Sequence, residues 1–329
     1  MTSPTVPTPT AHAVLRDAAE RARLAPSVHN TQPWRFGLHG DVLELHADPS
    51  RQLAVIDPTG RQLAISCGCA LFNARASLAA AGYQAEVTEF PDPARPDLLA
   101  RVTLGARSHV WLPLAGLDGP IERRRSNRRE YFGDPVAVEF RAQLVQAAAA
   151  EQAELRDLAD LEQRILASRL TREATEQQLL DPAYRAEIRA WTSDDPRRPD
   201  GVQAMSVPRV AEGTDDELPL RDFDSHGMGW LPTRTHSAAS QHLLLLCTAR
   251  DTRPDWLHAG QALERLWLEA TRQGYAISLF TQAIEHPASR ARLRAVLGLA
   301  GYPHVLVRVG RAPATPASRR RELANLMLD

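Results

Sequence analysis

The sequence predicts a mixed helix-and-strand fold made of two related halves in one chain. An ungapped internal repeat aligns CGCALFNARASLAAAGY (Cys67 to Tyr83) on AGQALERLWLEATRQGY (Ala259 to Tyr275). Gly68 then meets Gly260, Ala70 meets Ala262, Leu71 meets Leu263, and the pair Gly82-Tyr83 meets Gly274-Tyr275. Both copies are helical and apolar along their length, and each stops at a glycine suited to the left-handed C-cap position. Strand-like runs follow both helices, LARVTLG (Leu99 to Gly105) and HVLVRVG (His304 to Gly310).

The remaining elements fall in order around this repeat. Residues 1–10 are a Pro/Thr-rich tail expected to be disordered. Leu15, Ala18, Ala19 and Ala22 recur at helical spacing up to the Pro26 stop. Phe36 to Ala47 reads as a hairpin turning at His39-Gly40-Asp41, with Leu43, Leu45 and Ala47 on one face. The Gly/Pro-rich stretch Leu112 to Pro120 marks the boundary, giving a first half over 11–115 and a second over 116–329. Phe140 to Leu180 is expected to be largely helical, with Phe140, Leu144, Ala147, Leu155, Leu158, Leu161 and Ile165 at core spacing. The second half therefore carries an insertion over about 150–236, whose later part, from Trp191 on, is loop-rich. So long an irregular segment points to function.

Composition narrows the chemistry. With 329 residues and a net charge of -1, no global field draws the chain to nucleic acid or to a membrane surface. All 39 basic residues are Arg, which excludes Schiff-base catalysis and leaves any anion site to guanidinium groups and backbone amides. No signal sequence and no apolar run near the length of a membrane span is apparent, HLLLLC being the longest notable one, so a cytoplasmic protein is expected. Cys67 and Cys69 read as buried thiols, and the 11 His show no metal-ligand spacing, so no metal is expected. There is no dinucleotide fingerprint, no P-loop and no nucleophile elbow.

Two segments carry chemistry. APSVHNTQPWRF (Ala25 to Phe36) sets Ser27, Asn30 and Gln32, with His29, Thr31 and Trp34, between two prolines that forbid a continuous helix. Such a loop suits a planar, polar-edged ligand, although its cap-forming residues would equally make a structural turn. IERRRSNRREYF (Ile121 to Phe132) gathers five Arg at the entrance to a core helix, a composition suited to bidentate phosphate capture. A second cluster, SRRRE (Ser318 to Glu322), follows a strand near the C-terminus.

These motifs resemble flavin-dependent nitroreductases. APSVHNTQPWRF is similar to their Ala-Pro-Ser-x-x-Asn-x-Gln-Pro-Trp element, and RRSNR to their Arg-Arg-Ser-x-Arg element. Their order resembles the Acg branch, as do DPTGR before the first repeat helix, the W…DG stretch from Trp191 to Gly201, and AGQALER from Ala259 to Arg265. The resemblance spans about residues 12–322.

It implies an α+β nitroreductase-like fold, in which two subunits normally share each FMN. The first half here has the Ser/Asn/Gln loop without an Arg cluster, and the second has the Arg cluster without the loop, its first helix being expected to run on into EQAELRDLADLE. The resemblance therefore implies two fused halves, a single-chain pseudo-dimer with one flavin site retained and one lost, monomeric in solution. It implies that Arg124, Arg125, Ser126 and Arg128 bind the phosphate, closed by Arg319 or Arg320, and that Ser27, Asn30 and Gln32 reach the ribityl chain and ring edge. A backbone amide in the stretch Leu279-Phe280-Thr281-Gln282 would approach flavin N5, Thr281-Gln282 standing where the usual family residues include Glu-Gly.

The implied activity is an FMN-dependent oxidoreductase, with NAD(P)H giving hydride to N5 and a nitroaromatic, quinone or other small electron-poor acceptor taking it. The flavin carries that chemistry, so no catalytic residue is assigned. The alternative is a non-catalytic protein that shields or stores FMN under a lid drawn from Asp222 to His236, with Gly229 and Trp230 as its candidates.

Overall fold

The computed structural model describes residues 10–108, 110–193, 195, 197–203, 206–207, 209–210, 218, 220–223, 231–232 and 242–328. Residues 1–9 of the predicted 1–10 tail and the lid candidates Gly229 and Trp230 lie outside these residues, while Thr10 belongs to the ordered N-cap of the first helix rather than to the tail.

Helix α1 (Ala11–Ala22) starts at Thr10, whose hydroxyl accepts from the Ala13 amide, and buries Val14, Leu15, Ala18, Ala19 and Ala22 on one face. Strands β1 (Trp34–His39) and β2 (Val42–Ala47) form the predicted hairpin, with His39 opposite Val42. Helix α2 (Arg61–Ala80) is capped by the Asp57 carboxylate, which accepts from the Gln62 and Leu63 amides at 3.0 and 2.9 Å. Strands β3 (Tyr83–Glu89) and β4 (Leu98–Arg107) complete a sheet of order β1-β2-β4-β3.

The second half opens with short α3 (Asp118–Arg123) and α4 (Val138–Ala149). Strand β5 (Glu154–Asp157) follows, then α5 (Leu161–Leu180) and α6 (Pro182–Ala190). Four two-residue strands come next, β6 (Thr192–Ser193), β7 (Val202–Gln203), β8 (Arg209–Val210) and β9 (Leu231–Pro232). The chain ends with β10 (His242–Thr248), α7 (Arg253–Arg272), β11 (Ala276–Phe280), α8 (Gln282–Glu285), α9 (Pro287–Val296) and β12 (Tyr302–Gly310). The second sheet has the order β5-β10-β12-β11, so taken in chain order its four strands are arranged as those of the first.

Helix α2 is long and apolar enough by composition to span a membrane, contrary to the sequence expectation, but 83% of its apolar window is buried. Its hydropathy comes from Ala, Gly and Cys among larger residues rather than from an unbroken aliphatic run, and its burial all round makes it a central core helix. Gly82 and Gly274 end α2 and α7 at φ values of 84° and 75°, as predicted for C-cap glycines. Cys67 and Cys69 are buried thiols, directed to the Pro33 and Gly260 carbonyls respectively.

Three expectations are corrected. The expected helical continuity from Phe140 to Leu180 breaks at Ala149, because Glu154–Asp157 pairs with β10 as an edge strand. Leu161 and Ile165 are 58% and 53% exposed, not core. Their spacing was apolar, but α5 packs through Ala167, Leu170 and Ala174 instead. Strands β3 and β11 were missed between the repeat helices and the runs read as β4 and β12. Strand β3 alternates apolar and polar residues from Tyr83 to Thr88 but buries none of them fully, while β11 is a short, mainly apolar run without alternation.

Candidate functional site: an arginine-rich cleft joined to an apolar slot

Two additions to the sheets assemble the site. The Arg cluster lies against the edge of the second sheet, where Ser126 bridges Ile277 in parallel and the Asn127 amide donates to the Ile277 carbonyl at 2.9 Å. The C-terminal segment lies against the edge of the first, with Met327 bridging Phe36 and the Phe36 amide donating to the Leu326 carbonyl. The stretch after β12 is thereby drawn along the Ala25–Phe36 loop, and loop, Arg cluster and C-terminal Arg meet.

The loop itself is held in unusual backbone conformations. His29, Asn30 and Gln32 have φ values of 46°, 55° and 50°, a region that non-glycine residues enter at some energetic cost. Ser27 Oγ accepts from the Gln32 amide at 2.9 Å and so closes the turn.

A cleft of about 190 Å³ is lined by Ser27, His29, Asn30, Arg124, Arg125, Ser126, Arg128 and Arg320, with Gln203 and Ser206 from the insertion. Burial lowers the Arg320 guanidinium to about 9, helped by Arg124, and lowers Arg128 to about 10, helped by Arg221. Burial also lowers Arg125, again with Arg124 contributing. The opposing charge is Glu264, fully buried, 3.3 Å from Arg124 Nε. Arg124 also lies 4.6 Å from the centroid of the Trp267 ring. Four guanidinium groups line the cleft and one fully buried carboxyl lies beside Arg124 and Arg320, which leaves an electrostatic demand for an anion.

A second cleft of about 100 Å³ continues from the first, sharing Pro26, Ser27, His29, Ser126 and Arg128. Ile65, Leu263, Leu279 and Val305 give it apolar sides, while Gln62, Ser66, Ser278, Thr281 and Gln282 set polar groups at its edges. Phe223, from the predicted lid region, and Arg221, immediately before it, border it as well. Phe223 meets the His29 ring edge-on at 5.6 Å, and Arg128 lies 5.2 Å from its ring centroid. Arg221 is held by Glu285 and Tyr184, both at 2.5 Å.

Buried polar atoms without partners mark the joined clefts. Among the described residues these include His29 Nδ1, Asn30 Oδ1, Gln62 Nε2, Gln203 Oε1, Ser206 Oγ and Ser278 Oγ. Buried polar groups are nearly always satisfied, so six on one continuous surface point to a polar ligand.

The predicted residues divide accordingly. Ser27, Asn30, Arg124, Arg125, Ser126, Arg128, Arg320, Thr281 and Gln282 line one or both clefts. Gln32 does not. It is fully buried, donates to the Pro199 carbonyl and accepts from the Arg321 amide, tying the loop to the insertion and the C-terminal segment. Arg319 is exposed and outside both linings, and its carbonyl accepts from Asn30 Nδ2. Within the stretch expected to offer an amide to flavin N5, the Thr281 amide donates to Gln282 Oε1 at 3.0 Å. Sequence reasoning assigned no specific contact to His29, which it placed in the ligand loop, or to Phe223, which it placed in the lid segment, and it missed Gln62, Ser66, Gln203, Ser206 and Arg221 as lining residues. These five come from a helix face and from insertion stretches far away in sequence.

No protein-family model matches the chain. A Mycobacterium tuberculosis protein provisionally named an NAD(P)H nitroreductase is 34% identical over 312 residues, covering 92% of this chain and 88% of its own length. A second from that organism, with the provisional name NAD(P)H nitroreductase acg, is 31% identical over 318 residues and 94% of each chain. A solved nitroreductase with bound FMN from Desulfitobacterium hafniense aligns over 65% of this chain and 98% of its own, at 10% identity and a TM-score of 0.43.

Proposed function

We propose that this chain, which belongs to the nitroreductase family of the mycobacterial acg protein, is an FMN-dependent oxidoreductase acting between NAD(P)H and an electron-poor acceptor such as a nitroaromatic or a quinone. The observation that carries this reading is the joined pair of clefts, guanidinium-rich at one end, apolar-sided at the other, and bordered by six buried polar atoms with no partner among the described residues.

The residues fit FMN. Arg124, Arg125, Arg128 and Arg320, with Ser126, would hold the phosphate as charge-assisted donors. Asn30 Oδ1, Gln203 Oε1 and Ser206 Oγ would accept from ribityl hydroxyls. Ile65, Leu263, Leu279 and Val305 would exclude water from the ring, while Gln62, Ser66, Ser278 and Gln282 would meet its polar edge. When bound, FMN supplies the electron relay between nucleotide and acceptor, and the chain orients it. The test is the visible spectrum of the purified protein, followed by anaerobic addition of NADPH. A yellow protein that bleaches is expected, and a colourless one that FMN cannot reconstitute would overturn the reading.

We further infer that the two halves act as a single-chain pseudo-dimer with one flavin site. The matching strand orders support it, as does the content of the equivalent position across the pseudo-axis. There the repeat register puts His258, Gln261, Arg75 and Glu89 where the candidate site has Ser66, Cys69, Trp267 and Thr281. These residues satisfy one another: Glu89 pairs with His258 and Gln261, and Glu151 pairs with Arg75 and Arg265. One FMN per chain and a monomeric mass in light scattering are expected, and two FMN per chain would refute the inference.

A shielding role has its own support. Phe223, from the segment read as a lid, borders the ring cleft against His29 and Arg128. If the cover limits access, Phe223→Gly should speed bleaching by NADPH. An unchanged rate would remove this alternative.

A further inference from the structure

A cavity of about 620 Å³, larger than either cleft of the candidate site, lies where the start of α2 meets α9 and the beginning of β12. It shares no lining residue with them. Arg61 at the start of α2 lines this cavity, while its neighbour Gln62 lines the ring cleft, so one helical turn separates the two spaces.

Three guanidinium groups line the cavity, and two are committed. Arg290 forms a bidentate pair with Asp251 at 2.5 and 2.9 Å and donates from Nε to the Pro303 carbonyl at 2.7 Å. Arg294 lies 4.0 Å over the Tyr302 ring and donates to the carbonyls of Gly301 and Ala300. Arg61 differs. It is only 8% exposed, its Nη2 donates to the Ile284 carbonyl at 2.5 Å, and its buried Nε has no hydrogen-bond partner among the described residues. An unsatisfied donor on a buried cation is costly unless a ligand completes it.

The rest of the lining defines what such a ligand would be. Trp256, Tyr302, Leu299 and Ala291 present apolar surface, and the Trp256 indole N–H is occupied by Asp251. A phosphate dianion would ask for several free donors and would meet the Asp251 carboxylate on the same wall. One negative charge on an apolar, planar body matches the site better.

We propose that this cavity is a second binding site, separate from the cofactor clefts, for a small aromatic carboxylate whose head group pairs with Arg61 and whose ring packs against Trp256 and Tyr302. The probe is 2-naphthoate, titrated calorimetrically into the purified full chain, with 2-naphthalenemethanol and inorganic phosphate as comparators. The carboxylate is expected to bind at one site per chain, and the neutral alcohol about tenfold or more weakly, the loss of one charge-assisted contact. Arg61→Gln removes the head-group contact, and Ala291→Trp, at an exposed position, fills the cavity without touching Arg61. Each should weaken naphthoate at least about tenfold, while Arg128→Ala on the cofactor cleft should leave it unchanged. The proposal is overturned by absence of naphthoate binding, by equal affinity for the alcohol or for phosphate, by binding that survives either cavity variant, or by loss in Arg128→Ala alone.

Discussion

Gly68 and Gly260 meet backbone to backbone where α2 crosses α7. A Cβ on Gly68 would lie 2.2 Å from the Leu257 carbonyl oxygen and 2.9 Å from Gly260 Cα. A Cβ on Gly260 would lie 2.0 Å from the Ile65 carbonyl oxygen and 2.8 Å from Gly68 Cα. The contacts are reciprocal in the repeat register, since Ile65 and Leu257 occupy equivalent positions, which supports the proposed pseudo-dimer. Close approach here brings the first turns of α2 under the ring cleft.

Alanine at either position therefore forces the helices apart. The gain in helix propensity, about 1 kcal/mol, is smaller than the cost of pressing a methyl group into main chain. Gly68→Ala and Gly260→Ala should each destabilise the fold by about 1–3 kcal/mol or more, read as lower midpoints in urea unfolding. A midpoint at or above wild type would show that the crossing relaxes.

In the proposed site Arg124 would couple fold and ligand, because Glu264 is buried beneath it. Arg124→Ala takes away that carboxyl's ion-pair partner, leaving Arg320 as the cation near it, and should destabilise by about 3–5 kcal/mol, the usual result of breaking a buried pair. Adding Glu264→Gln should restore much of the stability but not FMN binding. Recovery of both in the double variant would show that Arg124 serves structure alone.

Glu264 also sets an expected pH dependence. Burial pushes its carboxyl from an ordinary 4.5 up to about 7, against the pull of Arg124, Arg320 and a hydrogen bond from Asn73. A phosphate anion on the same guanidinium groups favours protonated Glu264, so binding takes up a proton. FMN affinity is expected to fall as pH rises from about 6.5 to 8. Glu264→Gln should flatten that fall, and an identical slope in the variant would exclude Glu264 as its source.

Two buried histidines govern the acid limb of stability. Burial, reinforced by Arg290 and Arg61, lowers His304 to about 3, and burial with Arg221 and Arg128 lowers His29 well below its ordinary value. Below about 6.5 the unfolded chain binds protons that the folded chain refuses, so stability is present above that pH and is lost as pH falls towards 3. Each proton contributes a slope of up to about 1.4 kcal/mol per pH unit. Glu264 acts in the opposite sense, losing its contribution as pH rises from 4.5 through 7. His304→Asn should therefore show a shallower loss between pH 6 and about 4.5 than wild type in urea titrations. An equal loss would place the acid sensitivity elsewhere.

The sequence by itself determined the features that are local in the chain. The repeat, the C-cap glycines Gly82 and Gly274, the hairpin, the Arg cluster and the loop at Pro26 each depend on spacing or on backbone preferences expressed within a few residues. Tertiary structure decided what distance in sequence conceals. Gln32 and Asn30 stand two residues apart in one motif, yet Gln32 turns into the protein to bind Pro199 and Arg321, while Asn30 Oδ1 at the cleft has no partner among the described residues. Glu154–Asp157 became a strand because the edge of β10 was there to pair with it, which no local propensity encodes. Phe223 at the ring cleft and the unsatisfied Nε of Arg61 beside Trp256 likewise arise only when the chain closes on itself. Burial and hydrogen-bond satisfaction are sums over neighbours brought from anywhere in the chain.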